Sequence, residues 1–181
     1  ALSVLDVAGA PAQTRKLVKK GDTVLVVGGA GKSGMLCLYE ARKQAGPDAN
    51  IICLAHNESS MARAKSLGFA NSFILADATK PVEVYEKVME VTNGEMADVT
   101  INCVNIPDTE MSCILSTKAD GVIYFFSMAT SFTKAALGAE GVGSDVTMII
   151  GNGYTKGHAE LTLALVNNAP KIKALFEKIY T

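Results

Sequence analysis

The sequence predicts an α/β fold in which a doubly wound sheet of about six parallel strands is flanked by helices. Short apolar runs alternate with stretches of helical periodicity along most of the chain. The apolar runs are continuous, which is typical of strands whose two faces are both covered by helices. With 181 residues, of which 49% are hydrophobic and 19% charged, the chain is long and apolar enough for one well-buried domain.

The predicted strands span residues 23–27, 50–54, 72–75, 98–104, 121–127 and 145–150. Helices are predicted at 32–44, 59–67, 81–92 and 108–117, with a helical stretch at 5–18 before the first strand. The tail, residues 158–180, is predicted to be helical with a break near 167–170, where Pro170 follows two asparagines. Residues 131–143 are rich in small side chains, and we expect them to form a surface excursion near the ligand cleft.

Charge and cysteine usage narrow the class of protein. Seventeen Lys and Arg nearly balance 18 Asp and Glu, so we expect no nucleic-acid or membrane partner. The chain carries no membrane-length apolar run, and its first residues do not resemble a signal peptide. Its four cysteines form no C-x-x-C pair and sit in apolar surroundings, which is typical of reduced thiols in a cytoplasmic protein. With two histidines besides, no metal site is expected.

A glycine-rich turn at residues 28–34 follows the first strand and opens a helix. In this context G-x-G-x-x-G is typical of a Rossmann dinucleotide site. Gly29 would make the tight turn, Gly31 would let pyrophosphate approach the backbone, and Gly34 would let the helix pack closely on the strand. The pyrophosphate would then face the free N–H groups of the helix N-terminus.

The adjacent Lys32 and Ser33 also suggest a phosphate-binding P-loop, G-x-x-x-x-G-K-S. That motif requires glycine at position 26, where this chain has Val26, so the P-loop interpretation fails. We keep both residues as candidate cofactor contacts, with Lys32 either a cation near the phosphates or a solvated first-turn lysine.

The end of the second strand bears on the choice of cofactor. An acidic residue that binds the adenosine ribose is expected there, but Ala55, His56 and Asn57 follow instead. Because no carboxylate would repel a 2′-phosphate, the cofactor is predicted to be NAD or NADP. His56 and Asn57 are candidate hydrogen-bond donors, although Asn57 or Ser59 could simply cap the next helix.

Polar residues after later strands complete the candidate site. In open α/β sheets, ligands bind beyond the carboxyl ends of the strands. Asn105 and Ser127 stand there and could reach the nicotinamide half of the cofactor, with Asn152 at the same edge. Asn and Ser after strands also serve as turn or cap residues, and this alternative stays open.

Two motifs resemble the medium-chain dehydrogenase superfamily: the turn at residues 24–31, and the A-R-A-K-S-L-G helix end at 62–68. On that alignment the family's ribose-binding Asp falls on Ala55. Four further blocks resemble, within it, dehydrogenases that act on an amino acid in lysine fermentation: residues 31–38, 102–110, 124–132 and 151–158.

The resemblance implies an NAD(P)-dependent oxidative deamination of a diaminohexanoate, releasing ammonia. It also implies a longer chain, so we expect residues 1–20 to connect from a missing upstream catalytic domain and 21–181 to form the dinucleotide-binding domain. The catalytic residues stay unassigned. The alternatives are a medium-chain alcohol or quinone oxidoreductase and a non-catalytic dinucleotide sensor. An exposed sixth strand could pair two copies into a homo-oligomer.

Overall fold

The sheet confirms the predicted doubly wound α/β architecture. The computed structural model describes residues 2–151 and 153–180. In this part of the chain, six strands pair in parallel in the order β3-β2-β1-β4-β5-β6. The strands are β1 (Val24–Val27), β2 (Ile51–Ala55), β3 (Ser72–Leu75), β4 (Ala97–Asn102), β5 (Thr117–Phe125) and β6 (Thr147–Ile150). The fifth strand begins earlier than predicted, and the other boundaries fall close to the predicted ones.

Helices connect the strands and cover both faces of the sheet. They are α1 (Leu2–Leu5), α2 (Gly9–Leu17), α3 (Lys32–Ala45), α4 (Glu58–Leu67), α5 (Pro81–Val91), α6 (Glu110–Ser116), α7 (Phe132–Gly141), α8 (His158–Asn168) and α9 (Pro170–Tyr180). The tail breaks between α8 and α9, as predicted. The opening helical segment is divided into α1 and α2.

The continuous apolar runs are explained by burial on both faces. In β1, Val24 and Val26 pack into one core while Leu25 and Val27 pack into the other. The first core lies under α2, α3 and α4, and the second lies under α5, α6 and α7. Polar residues at any position of β1 would therefore be buried, which is why the strand does not alternate.

Residues 131–143, predicted as a surface excursion, lie mostly at the surface, and most of them form helix α7, which was not predicted. Ser131 begins the helix, with its Oγ accepting a hydrogen bond from the Lys134 N–H. The small residues allow close packing on α6: a Cβ at Gly138 would lie 2.6 Å from Met111 Sδ. The small-residue composition reflects a tight helix–helix contact rather than a loop.

The opening segment packs on the domain. Val4 joins a third apolar cluster with Met35 and Leu36 of α3 and with residues of α8 and α9. The buried Thr162 hydroxyl of α8 donates to the Ala8 carbonyl. Whether residues 1–20 also connect to an upstream domain stays a prediction.

The chain reverses its winding direction at β1, whose neighbours are β2 and β4. The connections on either side of this point leave in opposite directions, which opens a crevice at the carboxyl ends of these strands. Along the described residues, no helix is long and apolar enough to cross a membrane. At one edge, β6 has its Ile150 side chain exposed, and pairing of this edge with a second copy stays a prediction.

Candidate dinucleotide-binding site

The glycine turn lies in the crevice between the carboxyl ends of β1 and β4. Gly28 and Gly29 both donate their N–H groups to the Leu54 carbonyl of β2, at 3.0 and 3.2 Å. The Gly28 backbone is left-handed, with φ of +80°, a conformation that favours glycine. The tight turn that was predicted for Gly29 is therefore made at Gly28.

Two glycines of the turn are required by the protein's own packing. A Cβ at Gly34 would collide with the Gly28 carbonyl oxygen, so the first turn of α3 lies directly on the backbone that follows β1. This confirms the close packing predicted for Gly34. A Cβ at Gly29 would lie 2.6 Å from Cys53 Sγ of β2.

Gly31 differs from the other two glycines. A Cβ there would meet, among the described residues, one atom within 4 Å: the Gly28 carbonyl oxygen at 3.3 Å. Its φ of −79° is open to any residue. The described part of the protein thus gives little packing reason for glycine at this exposed position. A dinucleotide whose pyrophosphate approaches the backbone supplies one, so the turn fits such a ligand.

The N-terminus of α3 is also suited to an anion. Gly31 precedes the helix and provides no side-chain cap for its first N–H groups. Uncapped N–H groups and the positive end of the helix dipole favour phosphate. Ser33 is buried in this first turn, whereas Lys32 is half-buried. The Lys32 ammonium lies 3.1 Å from Asp6 Oδ2 and 5.7 Å from the Tyr180 ring centroid, so a described carboxylate already pairs with it.

One cavity, of about 420 Å³, opens on the β2 side of the turn. Its lining includes Gly28, Ala55, His56, Asp77 and Val104. Its lining combines apolar residues such as Ala55 and Val104 with the polar side chains of His56 and Asp77. Because the cavity lies beyond β2, it is where the adenosine half of a dinucleotide is expected.

Asn57 caps helix α4, as the alternative interpretation proposed. Its Oδ1 accepts a hydrogen bond of 2.8 Å from the Ser60 N–H, and its Nδ2 lies 2.9 Å from His56 Nε2. Both polar atoms of the Asn57 side chain therefore have partners inside the protein. His56 is exposed at the cavity mouth, within reach of a ligand.

Two polar residues of this region, Arg63 and Asp77, were not among the predicted site residues. Arg63 reaches from α4 across to the glycine turn, where its guanidinium donates to the Ala30 carbonyl at 3.1 Å. Asp77 follows β3, and hydrogen bonds from the Thr79 side chain and backbone lower the pKa of its carboxyl. The position of Asp77 just after a strand could have identified it. Arg63 lies 33 positions from its partner, a distance that no local pattern covers.

A second cavity, of about 370 Å³, opens on the β4 and β5 side of the turn. Ser33, Asn105 and Ser127, all predicted site residues, line it together with Cys103 and Asp6. The Ser127 hydroxyl accepts a hydrogen bond from the Ala129 N–H, which matches the turn role left open for it. Asn152 lies outside the described residues.

The loops around this second cavity are tied to helix α6. Glu110 is 2% exposed, and its Oε1 accepts a hydrogen bond of 2.9 Å from the Ser131 N–H. The Asp108 carboxylate pairs with the Lys134 ammonium.

A second set of hydrogen bonds holds the loop after β4. The buried Asn102 donates to Thr109 Oγ1 at 2.7 Å and accepts from the Val104 N–H. Together, the two sets of contacts connect the loop after β4 to the loop after β5.

The described residues hold no cluster of three or more His, Cys, Asp or Glu side chains able to bind a metal ion. The donor groups of this part of the chain therefore do not fit a zinc centre.

Comparison with known proteins gives close relatives. The chain is 58% identical over 180 residues to L-erythro-3,5-diaminohexanoate dehydrogenase of Acetoanaerobium sticklandii and 52% identical to the enzyme of the same name from Fusobacterium nucleatum. Each alignment covers 99% of this chain and 52% of the relative, so the chain spans about half the length of the curated relatives it matches.

Fold comparison agrees with the sheet described above. A mycobacterial quinone oxidoreductase superposes with a TM-score of 0.71 at 19% identity, over 92% of this chain and 53% of its own. The family model for zinc-binding dehydrogenases matches residues 34–153, a range that begins in the first turn of α3 and includes the loops after β2, β4 and β5. The chain therefore belongs to the zinc-binding dehydrogenase family, within the medium-chain dehydrogenases.

Proposed function

We propose that this chain is the dinucleotide-binding domain of an amino-acid dehydrogenase that oxidatively deaminates L-erythro-3,5-diaminohexanoate to 5-amino-3-oxohexanoate in lysine fermentation. The observation that carries the dinucleotide site is Gly31, an exposed glycine at the uncapped N-terminus of α3, where a Cβ would meet, among the described residues, the Gly28 carbonyl oxygen alone. The substrate rests on identity of 52% and 58% to two enzymes named for it.

In this proposal the chain's residues bind and orient the cofactor. The first-turn N–H groups of α3 face the pyrophosphate, and the buried Ser33 hydroxyl lies beside them. His56 contacts the adenosine half, while Asn105 and Ser127 border the nicotinamide half. When bound, the nicotinamide supplies the hydride acceptor for oxidation at the amine-bearing carbon, and water then releases ammonia.

We assign the site to both NAD and NADP. The carboxyl end of β2 presents Ala55, so no carboxylate there repels a 2′-phosphate. Arg63 brings a guanidinium to the edge of the glycine turn, where it adds positive potential near the ribose. With the Arg63 guanidinium at the turn and the Asp77 carboxylate lining the same cavity, both NAD and NADP are kept as cofactors of this site.

The alcohol and quinone oxidoreductase alternative has less support. The structural likeness to the quinone oxidoreductase comes with 19% identity, so it shows a shared fold only. The non-catalytic sensor has no feature of the described residues in its favour.

The test is cofactor reduction by the purified full-length protein. With L-erythro-3,5-diaminohexanoate and NAD or NADP, we expect absorbance of the reduced nicotinamide to appear together with ammonia. Reactions without substrate, or with glutamate in its place, serve as controls. A protein that binds dinucleotide but reduces none with this substrate contradicts the assigned activity and leaves the binding site standing.

A further inference from the structure

A pair of cysteines that the proposed function does not use lies beside the second cavity. Cys37 Sγ of α3 and Cys103 Sγ, which follows β4, are 3.9 Å apart, although the residues are 66 positions apart in sequence. Cys37 is fully buried, whereas Cys103 is half-buried and lines the cavity with Ser33 and Asn105. The two thiols therefore differ in access.

We propose that Cys37 and Cys103 form a reversible disulfide when the protein reacts with hydrogen peroxide, and that this bond weakens dinucleotide binding at the nicotinamide side. The second part rests on the proposed function. The first part concerns the thiols alone.

The chemistry takes two balanced steps. The Cys103 thiol, reached through the cavity, attacks the peroxide oxygen; the O–O bond breaks, Cys103 becomes a sulfenic acid and water leaves. The Cys37 sulfur then attacks the Cys103 sulfur, the S–O bond breaks, and a second water carries away the Cys37 proton and the hydroxyl group. Two thiols are oxidised and one peroxide is reduced to two waters.

The burial of Cys37 assigns it the second role. Cys37 is fully buried, so peroxide does not reach it. Its sulfur lies 3.9 Å from that of Cys103, within range of the sulfenic acid formed there, and it gives up its proton as the S–S bond forms. The remaining thiols, Cys53 and Cys113, are buried elsewhere in the two cores.

Closing the bond changes the cavity wall. The sulfur atoms must approach from 3.9 Å to about 2.05 Å. Helix α3 has little freedom to move, because the Gly34 backbone is already in tight contact with the Gly28 backbone. The movement therefore falls on residues 103–105, which carry Cys103 and Asn105 along the cavity wall.

The experiment treats the purified full-length protein with hydrogen peroxide and counts the free thiols among residues 1–181. We expect this number to fall from four to two and to return to four on reduction. Tryptic mapping should link the peptide of residues 33–42 to that of 88–118, with fragmentation placing the bond at Cys103. Because the second peptide also contains Cys113, Cys113→Ser is the matched control and should retain the link. Cys37→Ser and Cys103→Ser should each lose it, with Cys37→Ala as the second choice if the serine variant is unstable.

Two results overturn the disulfide: four thiols that persist after peroxide, or Cys103 oxidised to sulfinic acid while Cys37 stays free. The link is mapped without dinucleotide, so its outcome is separate from that of the proposed function. Calorimetry on the reduced and oxidised forms then tests the second part. A severalfold rise in the dinucleotide Kd on oxidation supports it, and equal Kd values for the two forms overturn it.

Discussion

The glycine turn combines residues that are glycine for different physical reasons. Gly28 adopts a left-handed backbone, and Gly34 lies backbone to backbone against it. Both reasons are internal to the fold. Gly31 has neither constraint, and the proposed function attributes its lack of a side chain to the approach of the pyrophosphate. Substitutions at these positions should therefore separate stability from binding.

We expect Gly31→Val to abolish dinucleotide binding while leaving the fold nearly unchanged. In the protein the added Cβ meets the Gly28 carbonyl oxygen at 3.3 Å, which requires a small local shift, whereas on the outside the side chain would occupy the path of the pyrophosphate. Calorimetry measures binding, and urea denaturation measures the free energy of unfolding. Gly141→Val, at the open end of α7, is the matched control and should bind normally. Unchanged binding by Gly31→Val would refute this placement of the pyrophosphate.

The proposed function makes Ala55 a position that selects between NAD and NADP, which a charge placed there tests. We expect Ala55→Asp to weaken NADP binding strongly relative to NAD, because the new carboxylate accepts from a ribose hydroxyl and repels a 2′-phosphate. Ala55→Asn has nearly the same shape without the charge and should change the ratio of the two Kd values much less. Similar ratios for the Asp and Asn variants would show that charge at this position does not select the cofactor.

At the scale of elements, the buried Glu110 carboxylate links helix α6 to the loop before α7 by a hydrogen bond from the Ser131 N–H. Glu110→Ala removes the acceptor of the Ser131 N–H, and we expect it to lower the free energy of unfolding by about 2 kcal/mol. Glu110→Gln keeps an acceptor oxygen and should recover part of the loss. Urea denaturation of the three proteins provides the comparison. Equal stability of the alanine variant and the parent would mean that the bond contributes nothing net.

Elements that follow from a local pattern, such as β1, could be predicted from the sequence. Helix α7 could not, because its composition depends on a tertiary contact. The four apolar residues of β1 point to both cores, and such a run identifies a buried strand without further information. Helix α7 was predicted only as a surface excursion, because Ala135, Gly138 and Ala139 are small. Their size is explained by contact with α6, in particular with Met111, which no window along the chain contains.

The same distinction holds within the site. The glycine turn and the polar residues after β4 and β5 could be located, because parallel strands bring their carboxyl ends to one edge. The guanidinium of Arg63 at Ala30 and the thiol pair of Cys37 and Cys103 join residues far apart in sequence. Such contacts depend on side-chain direction and helix placement, which periodicity does not specify.

At the scale of the whole molecule, buried thiols connect stability to pH. Burial raises the pKa of Cys53 to about 12 and raises that of Cys113 further, while Cys37 shifts in the same direction. In the unfolded chain these thiols ionise near pH 8.5. The folded state holds the protons that the unfolded state releases, so the stabilisation is complete below about pH 8.5 and is lost as the pH rises toward the folded pKa.

We therefore expect the free energy of unfolding to fall on going from about pH 8.5 toward pH 10, by about 1.4 kcal/mol per pH unit for each such thiol. Urea denaturation under reducing conditions at several pH values measures the slope. Cys53→Ala removes one of these thiols and should flatten the slope by that one contribution, whatever it does to stability at pH 7. Because tyrosine and lysine side chains titrate identically in the two proteins, the difference between the slopes isolates Cys53. Parallel pH profiles for the parent and Cys53→Ala would mean that Cys53 ionises in the folded state as readily as in the unfolded chain, and that its burial does not couple stability to pH.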